Sequence, residues 1–209
     1  MEKINYQNRL DEIIRSLPDR EEKPGLLLHS CCGPCSSYCL AYLKDHFDIA
    51  VLYYNPNIYP REEYDHRLSE QSRLIDEMNS AEGCDIRLIT VPYDHEEFLR
   101  AAKGLENEKE GGARCEKCFE LRLAKTAAMA AESHMDYFAT TLTVSPHKNA
   151  VLINRIGDET AGKIGLPRVP KWLPSDFKKN DGYKRSIELS KKYDLYRQNY
   201  CGCEFSIWF

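Results

Sequence analysis

The chain has 209 residues, 42% of them apolar and 30% charged, with a formal net charge of −4. That balance fits a folded domain with an ordinary core and excludes a disordered, fibrous or strongly basic chain. It gives no global attraction to nucleic acid, although a local basic face remains compatible with it. The first residues carry no basic segment followed by an apolar one, and no apolar run approaches a membrane span. A cytoplasmic protein without a membrane partner is therefore expected. In that compartment nine cysteines point to metal binding or redox chemistry rather than structural disulfides.

In chain order, Leu10, Ile13, Ile14 and Leu17 recur at helical spacing, which predicts an amphipathic helix over Tyr6 to Leu17. Asp19 to Lys23 reads as a charged connector. Leu26 to Leu28 is an apolar run after Pro24-Gly25 and suits a short buried strand. It leads into Cys31-Cys32-Gly33-Pro34-Cys35, a turn able to open a helix over Ser36 to His46 with Cys39, Leu40 and Leu43 inward. Ile49 to Tyr54 predicts a second strand, stopped by Asn55-Pro56-Asn57-Ile58-Tyr59-Pro60. Glu62 to Glu82 predicts a long helix and Ile86 to Val91 a third strand. Asp94 and Glu97 form a box-like cap for the next helix. Leu105 to Ala113 reads as an acidic, mobile loop.

Cys115 to Ser133 predicts a helix, Tyr137 to Thr141 a fourth strand, and Asn149 to Lys163 another helix. A short strand near Arg168 to Trp172 is crowded by Pro167, Pro170 and Pro174. Tyr183 to Tyr193 predicts the last helix, and Leu195 to Phe209 has no strong period. Strands alternating with helices imply a three-layer α/β/α protein with an open, mostly parallel sheet of four to five strands. The absence of repeats and linkers predicts one catalytic domain, 1–209.

The chemistry concentrates in three paired-cysteine motifs: Cys31-Cys32, Cys115-Glu116-Lys117-Cys118 and Cys201-Gly202-Cys203. In open α/β sheets ligands bind beyond the carboxyl ends of the strands, where Cys31 and Cys32 would sit. Cys115 and Cys118 open a predicted helix, whose N–H groups favour thiolates. Four thiolates from these two pairs match a 4Fe–4S cluster, and equally a structural Cys₄ zinc site. Cys201 and Cys203 are surplus to a zinc site and tilt the reading toward redox chemistry, as metal ligands or as an easily reduced disulfide. Cys35 stays open between a ligand, a thiol behind the ligands and a packed side chain. Cys39 and Cys84 read as core. His29 reads as a satisfied buried histidine, with a proton-donor role left open.

Between Lys171 and Arg197 eight basic residues face four acidic ones, interleaved with Phe177, Tyr183, Tyr193, Tyr196 and, leading directly to Cys201, Tyr200. Exposed aromatics among cations suit phosphate contact with base stacking, so Lys178, Lys179, Lys184, Arg185 and Arg197 are candidate nucleic-acid contacts. The plain alternative is a solvated helix face.

Taken together, His29-Ser30-Cys31-Cys32-Gly33-Pro34-Cys35-Ser36, Tyr54-Asn55-Pro56-Asn57-Ile58, Arg114-Cys115-Glu116-Lys117-Cys118, Thr140-Thr141-Leu142-Thr143, Ser145-Pro146-His147-Lys148, Asp176-Phe177-Lys178-Lys179 and Leu195-Tyr196-Arg197-Gln198-Asn199-Tyr200-Cys201-Gly202-Cys203 resemble the cobalamin-independent epoxyqueuosine reductases. The resemblance runs from about Leu26 to Ser206. It implies reduction of epoxyqueuosine in tRNA to queuosine, a 4Fe–4S cluster on Cys31, Cys32, Cys115 and Cys118, and a second iron or redox dithiol nearby. It also implies an external electron donor. Cys201 and Cys203 become catalytic candidates, and Asp176 or His147 could complete an iron site or supply a proton. The shape is similar to the nucleotide alpha-hydrolase-like (PP-loop) Rossmann-like enzymes that thiolate tRNA with ATP. Their Gly-rich phosphate loop is replaced here by Ser30 to Cys35, so neither ATP nor cobalamin is expected. The alternative class is a zinc-stabilised tRNA-binding module without redox chemistry.

Overall fold

The structure, a computed structural model, describes residues 4–18, 22–163, 165 and 169–206. The predicted connector at Asp19 and the start of the predicted fifth strand at Arg168 lie outside these residues. Five parallel strands form one open sheet: β1 (Gly25–Ser30), β2 (Asp48–Tyr53), β3 (Arg87–Thr90), β4 (Tyr137–Thr140) and β5 (Lys171–Trp172), in the order β3-β2-β1-β4-β5. Every pairing is parallel, with Leu26 opposite Ile49 on one side and Tyr137 on the other. The proline-crowded fifth strand is short and lies at the edge, where a missing N–H costs least.

Helices α1 (Tyr6–Ser16), α2 (Gly33–Leu43), α3 (Arg61–Glu82), α4 (His95–Ala102), α5 (Ala113–Glu132), α6 (Ala150–Ala161) and α7 (Gly182–Lys192) flank the sheet. The period-2 geometry of β1 divides the core. Leu26 and Leu28 join Leu10, Leu40, Leu43, Leu74 and Met78 in one layer. Leu27 joins Phe119, Leu123, Ala127, Phe138, Ile153 and Trp172 in the other. Each fully buried leucine contributes roughly 1.5–3 kcal/mol, so β1 is fixed from both faces.

Local signals explain the helix starts. Asn5 caps α1 by accepting from the N–H groups of Gln7 and Asn8, and Asn149 caps α6 in the same way. Asp94 caps α4 by accepting from the Glu97 N–H, as predicted. The Glu97 carboxylate does not return to close the box; it accepts from the Tyr54 hydroxyl at 2.6 Å and ties α4 to the end of β2.

The chain leaves β1 toward β2 on one side and returns to β4 on the other, so the strand order reverses between β1 and β4. That is the topological switch point at which open α/β sheets build their sites. The Cys31–Cys35 turn follows β1 there, and a 3₁₀ turn over Thr141–Val144 follows β4.

Candidate metal centre

The turn after β1 is held from beneath. The Ser30 and Ser36 hydroxyls both reach Gln71 Oε1 at 2.6 Å, and Asn55 Nδ2 donates to the Ser30 carbonyl at 2.8 Å. The Ser36 N–H donates to the Cys32 carbonyl at 3.1 Å, with Pro34 in the first turn of α2. This arrangement resolves how adjacent cysteines can share a site: Cys31 and Cys32 place their sulfurs 3.7 Å apart. Cys35, one turn on, joins them, and the three sulfurs lie within 4.8 Å of one another.

His29 is buried beneath the turn. Its Nδ1 meets the Thr140 hydroxyl at 2.8 Å and its Nε2 the Tyr54 carbonyl at 3.2 Å. A carbonyl only accepts, so Nε2 carries the proton and the Thr140 hydroxyl donates to Nδ1. Burial, with the charge of Arg122 adding to it, lowers the His29 pKa to about 3. The ring is neutral and both nitrogens are engaged, as the satisfied reading expects.

Cys115 and Cys118 occupy the first turns of α5, and the Gly111 N–H points at Cys115 Sγ at 3.2 Å. The third motif arrives on a strap running from Leu195 to Ser206. Arg67, buried in α3, pairs with Glu63 at 2.6 Å and donates to the carbonyls of Cys201 and Tyr200. The Gly202 carbonyl accepts from the Tyr59 N–H at 2.8 Å. Gly202 has φ +99°, and a Cβ there would sit 2.8 Å from Ile58 Cγ1. Only glycine makes this turn without strain and lets the strap lie so close. At its end, Arg114 Nη2 reaches the Phe205 carbonyl and the Ser206 hydroxyl at 3.5 Å. Arg114 Nη1 also gathers the carbonyls of Leu105, Glu106 and Glu108, so the loop expected to be mobile is wrapped around a buried guanidinium.

One enclosed cavity is lined by Cys31, Cys115, Cys118, Cys201 and Cys203, so all three motifs converge there. An open groove beside it shares Cys31, Cys201 and Lys148 and adds Cys35, Arg67, Tyr183 and Arg197. The electrostatics are those of a thiolate site. Hydrogen bonds from the Cys32 and Cys35 thiols hold Cys31 well below the usual thiol range, helped by the charges of Lys148 and Arg122 and against the effect of burial. Cys31 in turn pushes Cys32 up to about 12 and raises Cys35. The Cys203 thiol lowers Cys201 to about 6 against the effect of burial, while Cys203 is raised. Burial pushes Cys118 up to about 11 and also raises Cys115. The Cys31–Cys35 set and the Cys201–Cys203 pair therefore each hold about one thiolate while Cys115 and Cys118 stay protonated, and the remaining thiols lose their protons when a cation takes the sulfurs.

Other candidates stand elsewhere. Cys39 is fully buried in the core and Cys84 packs against it. His147 lines the cavity, whereas Asp176 lines neither it nor the groove and pairs with Lys178. Arg197 lines the groove; Arg185 lines a different depression, with Asp11 and Tyr42. Lys179 and Lys184 are exposed. Two of the aromatics expected on the basic face are core instead. Phe177 is fully buried edge-on to Tyr38 and Tyr42, and Tyr193 is buried with its hydroxyl on Glu82. Tyr183 and Tyr196 remain exposed. Sequence reasoning assigned no role to Arg67, Arg122 or Lys148. Arg122, buried beside the thiols, donates to the Cys118 carbonyl and Asn55 Oδ1.

A parallel α/β sheet with a cysteine-lined cavity at its switch point defines a Rossmann-like protein whose thiols could hold a metal. The family model described as "Epoxyqueuosine reductase QueH" matches residues 26–208, and the chain belongs to that family. Over 207 residues it is 43% identical to the epoxyqueuosine reductase QueH of Streptococcus pyogenes serotype M1, covering 98% of this chain and 79% of that one. The Staphylococcus epidermidis relative of the same name is 44% identical, with 98% and 85% covered. The Thermotoga maritima relative is 34% identical, with 87% and 90% covered. Among solved structures, the U34-tRNA thiolase NcsA from Methanococcus maripaludis, determined with its [4Fe-4S] cluster, superposes with a TM-score of 0.51 at 14% identity. That match covers 95% of this chain and 67% of NcsA and shows a shared fold.

Proposed function

We propose that this chain is an epoxyqueuosine reductase acting on tRNA in the cytoplasm, as a single catalytic domain of residues 1–209 that holds a 4Fe–4S cluster. The observation that carries the reading is the convergence of Cys31, Cys115, Cys118, Cys201 and Cys203 on one enclosed cavity. The reaction takes two electrons and two protons, removes the epoxide oxygen as water and leaves an alkene.

The residues fit the cofactor. Cys31, Cys32, Cys115 and Cys118 would hold the cluster, and the guanidinium of Arg122 and the ammonium of Lys148 offset the charge of the thiolates. Around a single zinc ion, sulfurs about 2.3 Å from the metal sit about 3.8 Å apart. Among the described residues the mutually close sulfurs are those of Cys31, Cys32 and Cys35, and Cys115 and Cys118 do not join them within 4.8 Å. The 3.7 Å between Cys31 and Cys32 is itself that of thiols on one ion, so the cluster reading requires these two sulfurs to separate and Cys115 and Cys118 to supply the other corners. When bound, the cluster supplies electrons one at a time. Cys201 and Cys203 serve as a redox dithiol or as ligands to a second iron.

The groove beside the cavity receives the nucleoside, with Tyr183 and Arg197 at its edge. Lys178, Lys179, Lys184, Arg185 and Arg197 contact the tRNA backbone. Asp176 is retained as a catalytic candidate through its contact with Lys178. Electrons come from an external one-electron donor; ATP and cobalamin have no part.

The test uses anaerobically purified protein, epoxyqueuosine-bearing tRNA and a chemical one-electron reductant, with nucleosides analysed by mass spectrometry. Conversion to queuosine by brown, iron-containing protein is expected. A colourless zinc protein that binds the tRNA and leaves the epoxide intact would overturn the reading.

A further inference from the structure

Besides Arg197, which lines the outer groove and donates to the Ser190 hydroxyl at 3.1 Å, four cations surround the thiols, and three are already engaged. Arg67 is tied to Glu63 and to the carbonyls of Cys201 and Tyr200. Arg114 is tied to the carbonyls of Leu105, Glu106 and Glu108. Arg122 is tied to the Cys118 carbonyl and Asn55. The fourth, Lys148, is half-buried, and among the described residues no carboxylate lies within ion-pair distance of its Nζ. It lines both the enclosed thiol cavity and the open groove. The groove has a volume of about 370 Å³, within the range of about 300–1,000 Å³ usual for small-molecule sites. A nucleoside seated in the groove with its reactive edge toward Cys31 and Cys201 would therefore meet Lys148 at the boundary.

We propose that the Lys148 ammonium holds the epoxide oxygen of the substrate, donating a hydrogen bond that strengthens as the oxygen gains charge. This rests on the reading of the site given above. Both carbon–oxygen bonds break and a carbon–carbon double bond forms. Two electrons enter from an external donor of the iron–sulfur or flavin class, and the oxygen leaves as water after taking two protons that the solvent of the groove replenishes. Lys148 lies directly after His147 and just beyond the turn that follows β4, so the backbone at the switch point delivers it. A preorganised cation aimed at developing charge is worth roughly 10²- to 10³-fold in rate. The product has no oxygen at this place, so the same contact lets the protein distinguish substrate from product.

Lys148→Met and Lys148→Arg, prepared anaerobically beside the wild type, test this with three readouts: iron and sulfide content, affinity for tRNA carrying the epoxide against tRNA carrying the alkene, and single-turnover rate. Lys148→Met is expected to keep its iron, to lose roughly 10²-fold or more in rate, and to lose the wild type's preference for the epoxide form. Lys148→Arg, still a donor, should recover part of both. Turnover by Lys148→Met equal to the wild type overturns the inference. So does iron loss in step with activity, which would make Lys148 a support of the metal centre, and so does an equal fall in affinity for both tRNAs, which marks a phosphate contact. A wild type that fails to reduce the epoxide overturns the parent reading together with this one.

Discussion

The turn after β1 and the strap at Leu195–Ser206 bring cysteines to the same cavity by opposite means. The turn hangs from a strand buried on both faces and rests on the Ser30, Ser36, Gln71 and Asn55 network. The strap has few apolar anchors and is drawn in by arginines that reach backbone carbonyls: Arg67 at Tyr200 and Cys201, Arg114 at Phe205, and Arg73 at Tyr193 and Asp194 just before the strap begins. Core packing thus fixes one half of the site and long-range charged contacts fix the other. The turn should be rigid before any metal binds, whereas the strap should open locally at lower cost.

The largest effect expected from breaking this contrast is at Arg67. Arg67→Met leaves Glu63 and two strap carbonyls without their partner. Removing one side of a buried pair costs about 3–5 kcal/mol. Urea unfolding should show a loss of that order, with amide exchange rising at Tyr200–Cys203 and little changed in β1. An unchanged strap would show that its apolar anchors suffice. Gln71→Ala attacks the other half, leaving the Ser30 and Ser36 hydroxyls only each other and the Cys32 carbonyl. Its expected cost is about 1–3 kcal/mol, with exchange rising around Cys31–Ser36 and not in the strap.

Gly202→Ala should cost about 1–2 kcal/mol, the penalty for a side chain in a left-handed conformation. It should also slow turnover more than it lowers stability, because it moves Cys201 and Cys203 together. A variant with wild-type turnover would show that their spacing is not critical. Smallest is the double change Lys178→Ala with Lys179→Ala. It should weaken tRNA binding and reduce the log–log salt slope by about 1 per lost phosphate contact, with iron content untouched. An unchanged slope would return both residues to a solvated face.

The same contrast explains what the sequence made legible. Leu26 to Leu28, the Asp94 cap and the helical periods of α1 and α5 are local signals, and the sheet follows from their alternation with helices. The cysteine motifs pointed to metal or redox chemistry because, in the cytoplasm expected for this chain, thiols at such spacing have few other uses. Cys35's place with Cys31 and Cys32 depended on the turn geometry after β1. Phe177 and Tyr193 looked like a stacking surface because they sit among lysines, yet the face they present is set by α2 and α3, which lie more than a hundred positions earlier. Arg67 and Arg122 carried no local mark, because a buried arginine and an exposed one look the same until the fold supplies the carbonyls, and Lys148 stood in a recognised motif without a role until the fold placed it beside the thiols.

The measurement that tests the central claim most directly is iron and sulfide content with the visible spectrum, recorded anaerobically on the wild type, Cys31→Ser and Cys201→Ser, with Cys39→Ala as control. About four irons per chain are expected in the wild type and in Cys39→Ala. Cys31→Ser should lose the iron and its colour, while Cys201→Ser should stay brown, bind tRNA and fail to reduce the epoxide. A full cluster in Cys31→Ser, or a bleached Cys201→Ser, would contradict this division between a cluster held in part by the turn and a redox partner carried by the strap.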